Sequence, residues 1–295
     1  MSKTIIYLSA GFLALFILFT PIDSDARDKT RAPIGHVVAV EGQAFLIGEG
    51  EPLRLKNDTP IYLNSHIETK DKTRVVILFI DDSQIRLGSN ASLTIDKYVY
   101  DPYPEASEDS KSNEAQYSVL RGAFEYISGL LAKPFDSKVK VKAEHGSIGI
   151  RGTRFWGGPL EEAEYAVYVK EGAVEFTSEP SRRVYIPGGT GIYVRDVNSP
   201  LPEAEKWQDY RIEKANEKVA FFTIARENLL KRIRVHQERN IKSRRELWRN
   251  LHPRLPVPWG ATGTGPGEEG FSDEMRDQKR RHRERIQRHD QRIRQ

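Results

Sequence analysis

The chain has 295 residues, 38% of them hydrophobic and 30% charged, with a formal net charge of +4, which is enough for one or two packed domains. It contains no cysteine, which excludes disulfides, thiolate metal sites, a cysteine nucleophile and a lipidated N-terminal cysteine. Charge is split along the chain. Residues 34–200 hold 19 basic and 24 acidic side chains, net −5, and residues 201–295 hold 23 and 15, net +8. That asymmetry marks the C-terminal part for an anionic partner or for folding back on the rest of the chain.

Lys3, the apolar run Ile5–Phe19, Pro21 and the small residues of Ser24-Asp25-Ala26 read as a signal peptide, residues 1–26, cleaved after Ala26. The alternative is an uncleaved N-terminal membrane anchor, since Ile5–Ile22 is only just long enough to span a bilayer. Either reading puts the remainder outside the cytoplasm, in the periplasm or exported.

From residue 34 to 197 the pattern is strand-like. Val37-Val38-Ala39-Val40 and Ala44-Phe45-Leu46-Ile47 flank Glu41-Gly42, and Leu53, Leu55, Ile61 and Leu63 mark short strands between Asn and Asp turns. Val75–Ile80 is six apolar residues in a row, a signature of burial on both faces. Asp81-Asp82-Ser83 turns the chain into Ile85-Arg86-Leu87, and Gly88-Ser89-Asn90 turns it into Leu93-Thr94-Ile95. Residues 101–116 are acidic and lack an apolar period, as expected of an exposed insertion. Val119–Ile127 and Val139–Ala143 alternate again. They lead into His145–Trp156, whose Gly146, Gly149 and Gly152 interrupt the strand rhythm and imply positive φ, a bulge or a close backbone approach. Strands at 165–169, 174–176, 184–186 and 192–194 follow. A turn glycine before a short apolar strand recurs at Gly42, Gly122, Gly172 and Gly189, as expected of strands stacked by tight turns in a sandwich or a β-solenoid.

Past Pro200 and Pro202 the period becomes helical. Over residues 203–251, Trp207, Tyr210, Ala215, Val219, Phe222, Leu229, Ile233 and Leu247 lie near one stripe, predicting one long amphipathic helix or two broken near Asn240. Residues 252–270 read as a Pro/Gly linker. Residues 271–295 form a basic tail with too few aliphatics for a packed face.

These motifs resemble the FecR domain family, the extracytoplasmic module of bacterial iron-uptake signalling proteins. The resemblance rests on Asp81–Leu87, Leu120-Arg121-Gly122-Ala123-Phe124, Gly149-Ile150-Arg151-Gly152-Thr153-Arg154-Phe155 and Val169-Lys170-Glu171-Gly172-Ala173-Val174, in that order across residues 34–197. It implies a mainly β, elongated, solenoid-like or sandwich-like domain that binds other envelope proteins and is not catalytic, with Gly149, Arg151, Gly152, Thr153, Phe155, Glu171 and Gly172 as fold signature. The best-known members begin with a cytoplasmic sigma-factor-binding domain; here a signal-like segment stands before the β region, so sigma-factor regulation is not expected to carry over, and the helical basic extension lies outside the family pattern.

Catalytic readings are weaker. His145, Ser147 and Asp136 could be drawn as a hydrolase triad, but no Gly-x-Ser-x-Gly elbow accompanies them. The seven histidines lack ligand spacing, so no metal, cofactor or catalytic residue is expected. Arg151 and Arg154 suit either an anionic ligand or internal pairing that fixes the glycine turn. Arg280, Arg281, Arg283, Arg285 and Arg288 form a basic cluster without interleaved aromatics. It is read as a solvated helix or a contact for anionic envelope polymers, not nucleic acid. The expectation is a non-enzymatic binding or signal-input module for an envelope protein or an anionic wall polymer. The alternative is a scaffold self-associating through residues 203–251.

Overall fold

The computed structural model describes residues 32–102, 113–132, 138–161, 163–178, 182–195, 200–251 and 253. The signal segment, Asp136, the chain from 254 through the five tail arginines and the side chain of Arg151 lie outside the described residues. The chain divides into Met1–Ala32 and Pro33–Gln295, and every element below belongs to the second unit.

In chain order the elements are β1 (Gly35–Glu41), β2 (Ala44–Ile47), β3 (Leu53–Arg54), β4 (Pro60–Ile61), β5 (His66–Thr69), β6 (Arg74–Phe79), β7 (Gln84–Leu87) and β8 (Ser92–Val99). There follow β9 (Glu114–Arg121), β10 (Phe124–Ile127), β11 (Lys138–Ala143), β12 (Gly146–Leu160), β13 (Ala163–Ser178), β14 (Arg182–Pro187), β15 (Thr190–Val194) and β16 (Glu205–Lys206). Two helices complete the order, α1 (Asp209–Glu217) and α2 (Arg226–Leu251). The fold is mainly β with a C-terminal helical extension.

All the strands join one hydrogen-bonded network, which the long β12–β13 pair folds into two facing layers. The first part of β12 pairs with β11 and its last part with β10. Tyr165–Tyr168 of β13 pair with β15, whereas Ala173–Ser178 pair with β14. One layer therefore runs β3-β2-β5-β8-β9-β11-β12-β13-β14, and the other β4-β1-β6-β7-β10-β12-β13-β15-β16. Pairing is antiparallel throughout except for β9 with β11. Rings meet across the gap: Phe79 of β6 lies 5.2 Å from Tyr117 of β9, and Tyr117 lies 5.9 Å from Tyr126 of β10. The main core fills this space with alternate residues from both layers, the arrangement of a β-sandwich.

The recurring glycines have a common cause. Gly42, Gly122, Gly172 and Gly189 have φ of +85, +81, +78 and +82°, and each sits where the chain passes from one layer to the other. A tight corner needs a left-handed residue, and glycine adopts that conformation without a Cβ penalty. Asp58, Asn64, Lys72 and Asn90 take the same conformation at other crossings.

The layers differ in their outer faces. On the β14 side, β11 alternates exposed and buried residues strictly, so that layer has one solvent face. The other layer is covered by the helices, which is why all six residues of β6 are buried. α2 packs Leu229 and Ile233 on Val38, Ala39, Val76 and Leu78. Ahead of α1, Trp207 stacks on Tyr193 at 4.6 Å and Tyr168 at 4.9 Å and meets Trp156 edge-on at 6.4 Å.

The helical region departs from its sequence pattern. The break falls at residues 218–225, not near Asn240, and the first helix starts at Asp209 because Glu205 and Lys206 pair with β15. Arg74, only 5% exposed, donates to Glu217 O and Ala220 O, both at 2.9 Å, and so satisfies carbonyls at the end of α1. Glu41 accepts from the backbone N–H groups of Phe222 (2.7 Å) and Thr223 (2.8 Å) just ahead of α2. Tyr210 and Phe222, expected in the buried stripe, are exposed. Asn240 lies mid-helix, buried, and donates to Phe79 O and Asp82 Oδ1 at 2.8 Å. No described helix is long and apolar enough to cross a membrane.

Candidate binding surface

The Gly149–Phe155 stretch forms the bend of the sandwich. Arg151 pairs with Ala173 and Arg154 with Glu171, so Gly152 and Thr153 together oppose Gly172, two residues against one. This is a β-bulge. Gly152 has φ +58° and open space around it. A Cβ on Gly172 would meet Gly152 O at 2.5 Å. Thr153 is tied in through its main chain: its N–H donates to Ser128 Oγ, and its carbonyl accepts from Ser128 N–H, both at 2.9 Å. Phe155 is fully buried between Phe124 and Tyr126. Glu171 is exposed at the bulge.

Arg154 turns out to serve a charge cluster on the helix-covered side. Its Nε lies 3.0 Å from the carboxylate of Glu125, which is only 1% exposed and also meets Lys170 Nζ at 2.5 Å and Arg86 at 3.3 Å. Lys170 Nζ donates further to Asn216 Oδ1 on α1 at 2.6 Å. Burial pushes the Glu125 carboxyl up, but Lys170, Arg86 and Arg154 together outweigh it and hold it below the usual carboxylate range. Arg154 is thus placed as an internal ion-pair partner.

Sequence reasoning treated Asp81 and Asp82 alike, as turn residues. Asp82 does occupy a turn, with φ +65°, and receives Arg244 from α2 at 2.8 Å. Asp81 is fully buried. It accepts from Ser83 Oγ (2.6 Å), Tyr98 OH (2.9 Å) and the Leu131 N–H (3.1 Å), and burial raises its pKa. His36 and His236, far apart in sequence, come within 6.3 Å ring to ring, with Asp58 3.2 Å from His236. Among the described residues no group of three or more His, Asp or Glu is placed to hold a metal ion. His145 packs edge-on against Tyr165, and Ser147 lies on the open face.

That open face carries a groove of about 1130 Å³ across β9, β11, β12, β13 and β14. Ser147, Gly149, Ala173 and Thr177 form a floor of small side chains, with Lys138 and Lys140 on one flank and Arg183 and Tyr185 on the other. The registers place Lys140, Gly149, Glu175 and Tyr185 in one row across the strands. Tyr185 is 68% exposed. Gly149 needs neither positive φ nor a close approach, since a Cβ there would find its nearest neighbour at 3.8 Å. The groove acids have partners: Glu114 pairs with Lys97 at 2.6 Å and Glu175 with Arg183 at 3.7 Å.

Residues 65–175 match the family model described as FecR protein. No curated protein matches the chain. Among solved structures, two crystal structures of a candidate anti-sigma factor from Parabacteroides distasonis are similar at 14% identity. One covers 51% of this chain and 63% of its own, with a TM-score of 0.40, and the other covers 50% and 62%, with a TM-score of 0.37. The chain thus spans less than two thirds of either. The matched segment begins at the start of β5 and ends just past the bulge of β13, and it contains every motif from Asp81 to Val174. The stretch that matches the FecR family model, residues 65–175, is set within a sandwich that β1–β4 and β14–β16 complete.

Proposed function

We propose that this chain is an exported, non-catalytic signal-input module that recognises a cell-envelope partner through the open face of its sandwich. One observation carries the reading. The two layers have the same architecture, but one outer face is covered by α1 and α2 while the other bears a groove with an exposed tyrosine and cations on its flanks. A face covered by its own chain serves stability, whereas an uncovered polar groove on rigid strands is a place to bind. The FecR domain supports a regulatory role and no enzymatic one. Export rests on the N-terminal sequence. The repeated passage of the chain between layers supports the stacked-strand winding expected of the family. Leu229 and Ile233 of α2 are occupied by β1 and β6, which leaves the exposed Leu230 and Val235 as the α2 surface a scaffold would have to use.

The test is capture from envelope fractions by the full mature chain and by a groove variant, Tyr185→Ala with Lys140→Glu. Loss of a specifically retained protein or wall component in the variant is the expected result. Equal capture by both proteins would sink the assignment of this face.

A further inference from the structure

Three lysines, Lys138, Lys140 and Lys142, point outward from β11 at two-residue spacing. At about 3.3 Å rise per residue they span roughly 13 Å. None has an acidic partner among the described residues, whereas Glu114 and Glu175 beside them are each paired with another cation. The β11 flank of the groove is therefore positive, while Glu175 on β13 is offset by Arg183. Its opposite flank carries the exposed ring of Tyr185, and Gly149 leaves the row between Lys140 and Glu175 free of a side chain.

We propose that this groove binds a carboxylate-bearing polysaccharide, an inference that rests on the open face being the binding surface. A sugar polymer presents both features the groove matches: the apolar face of a ring, which lies flat on an aromatic side chain, and regularly spaced charges, which meet a row of ammonium groups. The lysines are point charges without the planar fork of arginine, and the described helices α1 and α2 pack on the opposite layer, so neither brings its N-terminus to the groove as many phosphate sites do. Carboxylates are the anion this surface fits. An added peptide strand would need a free sheet edge; the floor strands β11, β12 and β13 are paired on both sides, so a strand could be added only beyond β14, away from the lysine row.

Gly149 gains a reason here that the fold does not supply. Its backbone would accept any residue, but a large side chain at this point would fill the trough between Lys140 and Tyr185.

The experiment is calorimetric titration of the full mature chain with polygalacturonate, with neutral dextran and poly-glutamate as controls. Tyr185→Ala, Gly149→Val and Lys138→Glu/Lys140→Glu serve as variants, each checked for an unchanged melting temperature. The basic C-terminal tail will contribute some attraction for any polyanion, so the reading depends on the variants. Polygalacturonate should bind with an affinity that falls with salt. Each variant should weaken it about tenfold or more, the equivalent of about 1.4 kcal/mol. Dextran should not bind, and poly-glutamate binding should not respond to Tyr185→Ala. Polygalacturonate binding that is indifferent to Tyr185→Ala and Gly149→Val would overturn the proposal. Groove variants that lose envelope capture but keep polygalacturonate binding would overturn the glycan assignment alone and leave the binding face standing.

Discussion

Glu125 shows how a single side chain can hold several elements of this fold in place. It is almost fully buried and touches cations from β7, β12 and β13. Removing one partner of such a cluster strands the rest, at a cost of about 3–5 kcal/mol. Glu125→Gln should therefore lower stability by roughly that amount, read as a shift in the urea midpoint at pH 7. Because its pKa is depressed on folding, its contribution is complete above the unfolded value of about 4.5 and lost as pH falls through the folded one. The variant should then show a flatter acid limb as pH falls below about 4.5. The glycines of the bend differ from one another in the same residue-specific way. Gly152→Ala meets only left-handed strain, about 1–2 kcal/mol, so even Val here is opposed by backbone conformation and not by a clash. Gly172→Ala adds a Cβ only 2.5 Å from Gly152 O and should be the more destabilising in thermal melts. Gly149→Ala should be silent.

At the scale of elements, the strands were legible from the sequence because alternation and turn residues are local signals. Val75–Ile80 announced burial on both faces, and the helices supply the second cover. The break between α1 and α2 was not legible. Its determinants are Arg74, which bonds a carbonyl 146 residues away, and Glu41, which holds a backbone N–H 181 residues away. Nothing in residues 203–251 announces partners at that distance. Asp81 was missed for the same reason: its side-chain bond to the Leu131 N–H spans 50 residues. The helical extension is consequently part of the sandwich and not an appendage. A chain cut after Val197 would expose Val38, Val76, Leu78, Trp156 and Tyr168. It should aggregate or unfold, as judged by light scattering and circular dichroism. A soluble fragment with the parent's melting temperature would show that the helices only decorate the β domain. Arg244→Ala is the milder version. It removes bonds to Ile80 O and Asp82, leaving Asp82 without its cation and with Asn240 as a remaining donor, and should cost about 2–4 kcal/mol.

For the whole molecule, the proposed division of stability and recognition between the two outer faces can be tested without knowing the ligand. Trp207 is 2% exposed and stacked among Tyr168, Tyr193 and Trp156. Its replacement by alanine empties the centre of the helix-covered face, and aromatic-to-alanine changes in such positions cost about 3–5 kcal/mol. Tyr185 is equally aromatic but 68% exposed on the open face, where truncation should move stability by no more than about 0.5 kcal/mol. Hydrophobicity on the sequence treats the two residues alike; only their faces distinguish them. Urea denaturation of Trp207→Ala and Tyr185→Ala beside the parent chain should therefore give a large shift for the first and almost none for the second. Envelope capture should show the reverse once Trp207→Ala is compared under conditions where it remains folded. Similar losses of stability in both variants would mean that Tyr185 packs on its own chain, and the open face would then lose its claim to be the binding surface.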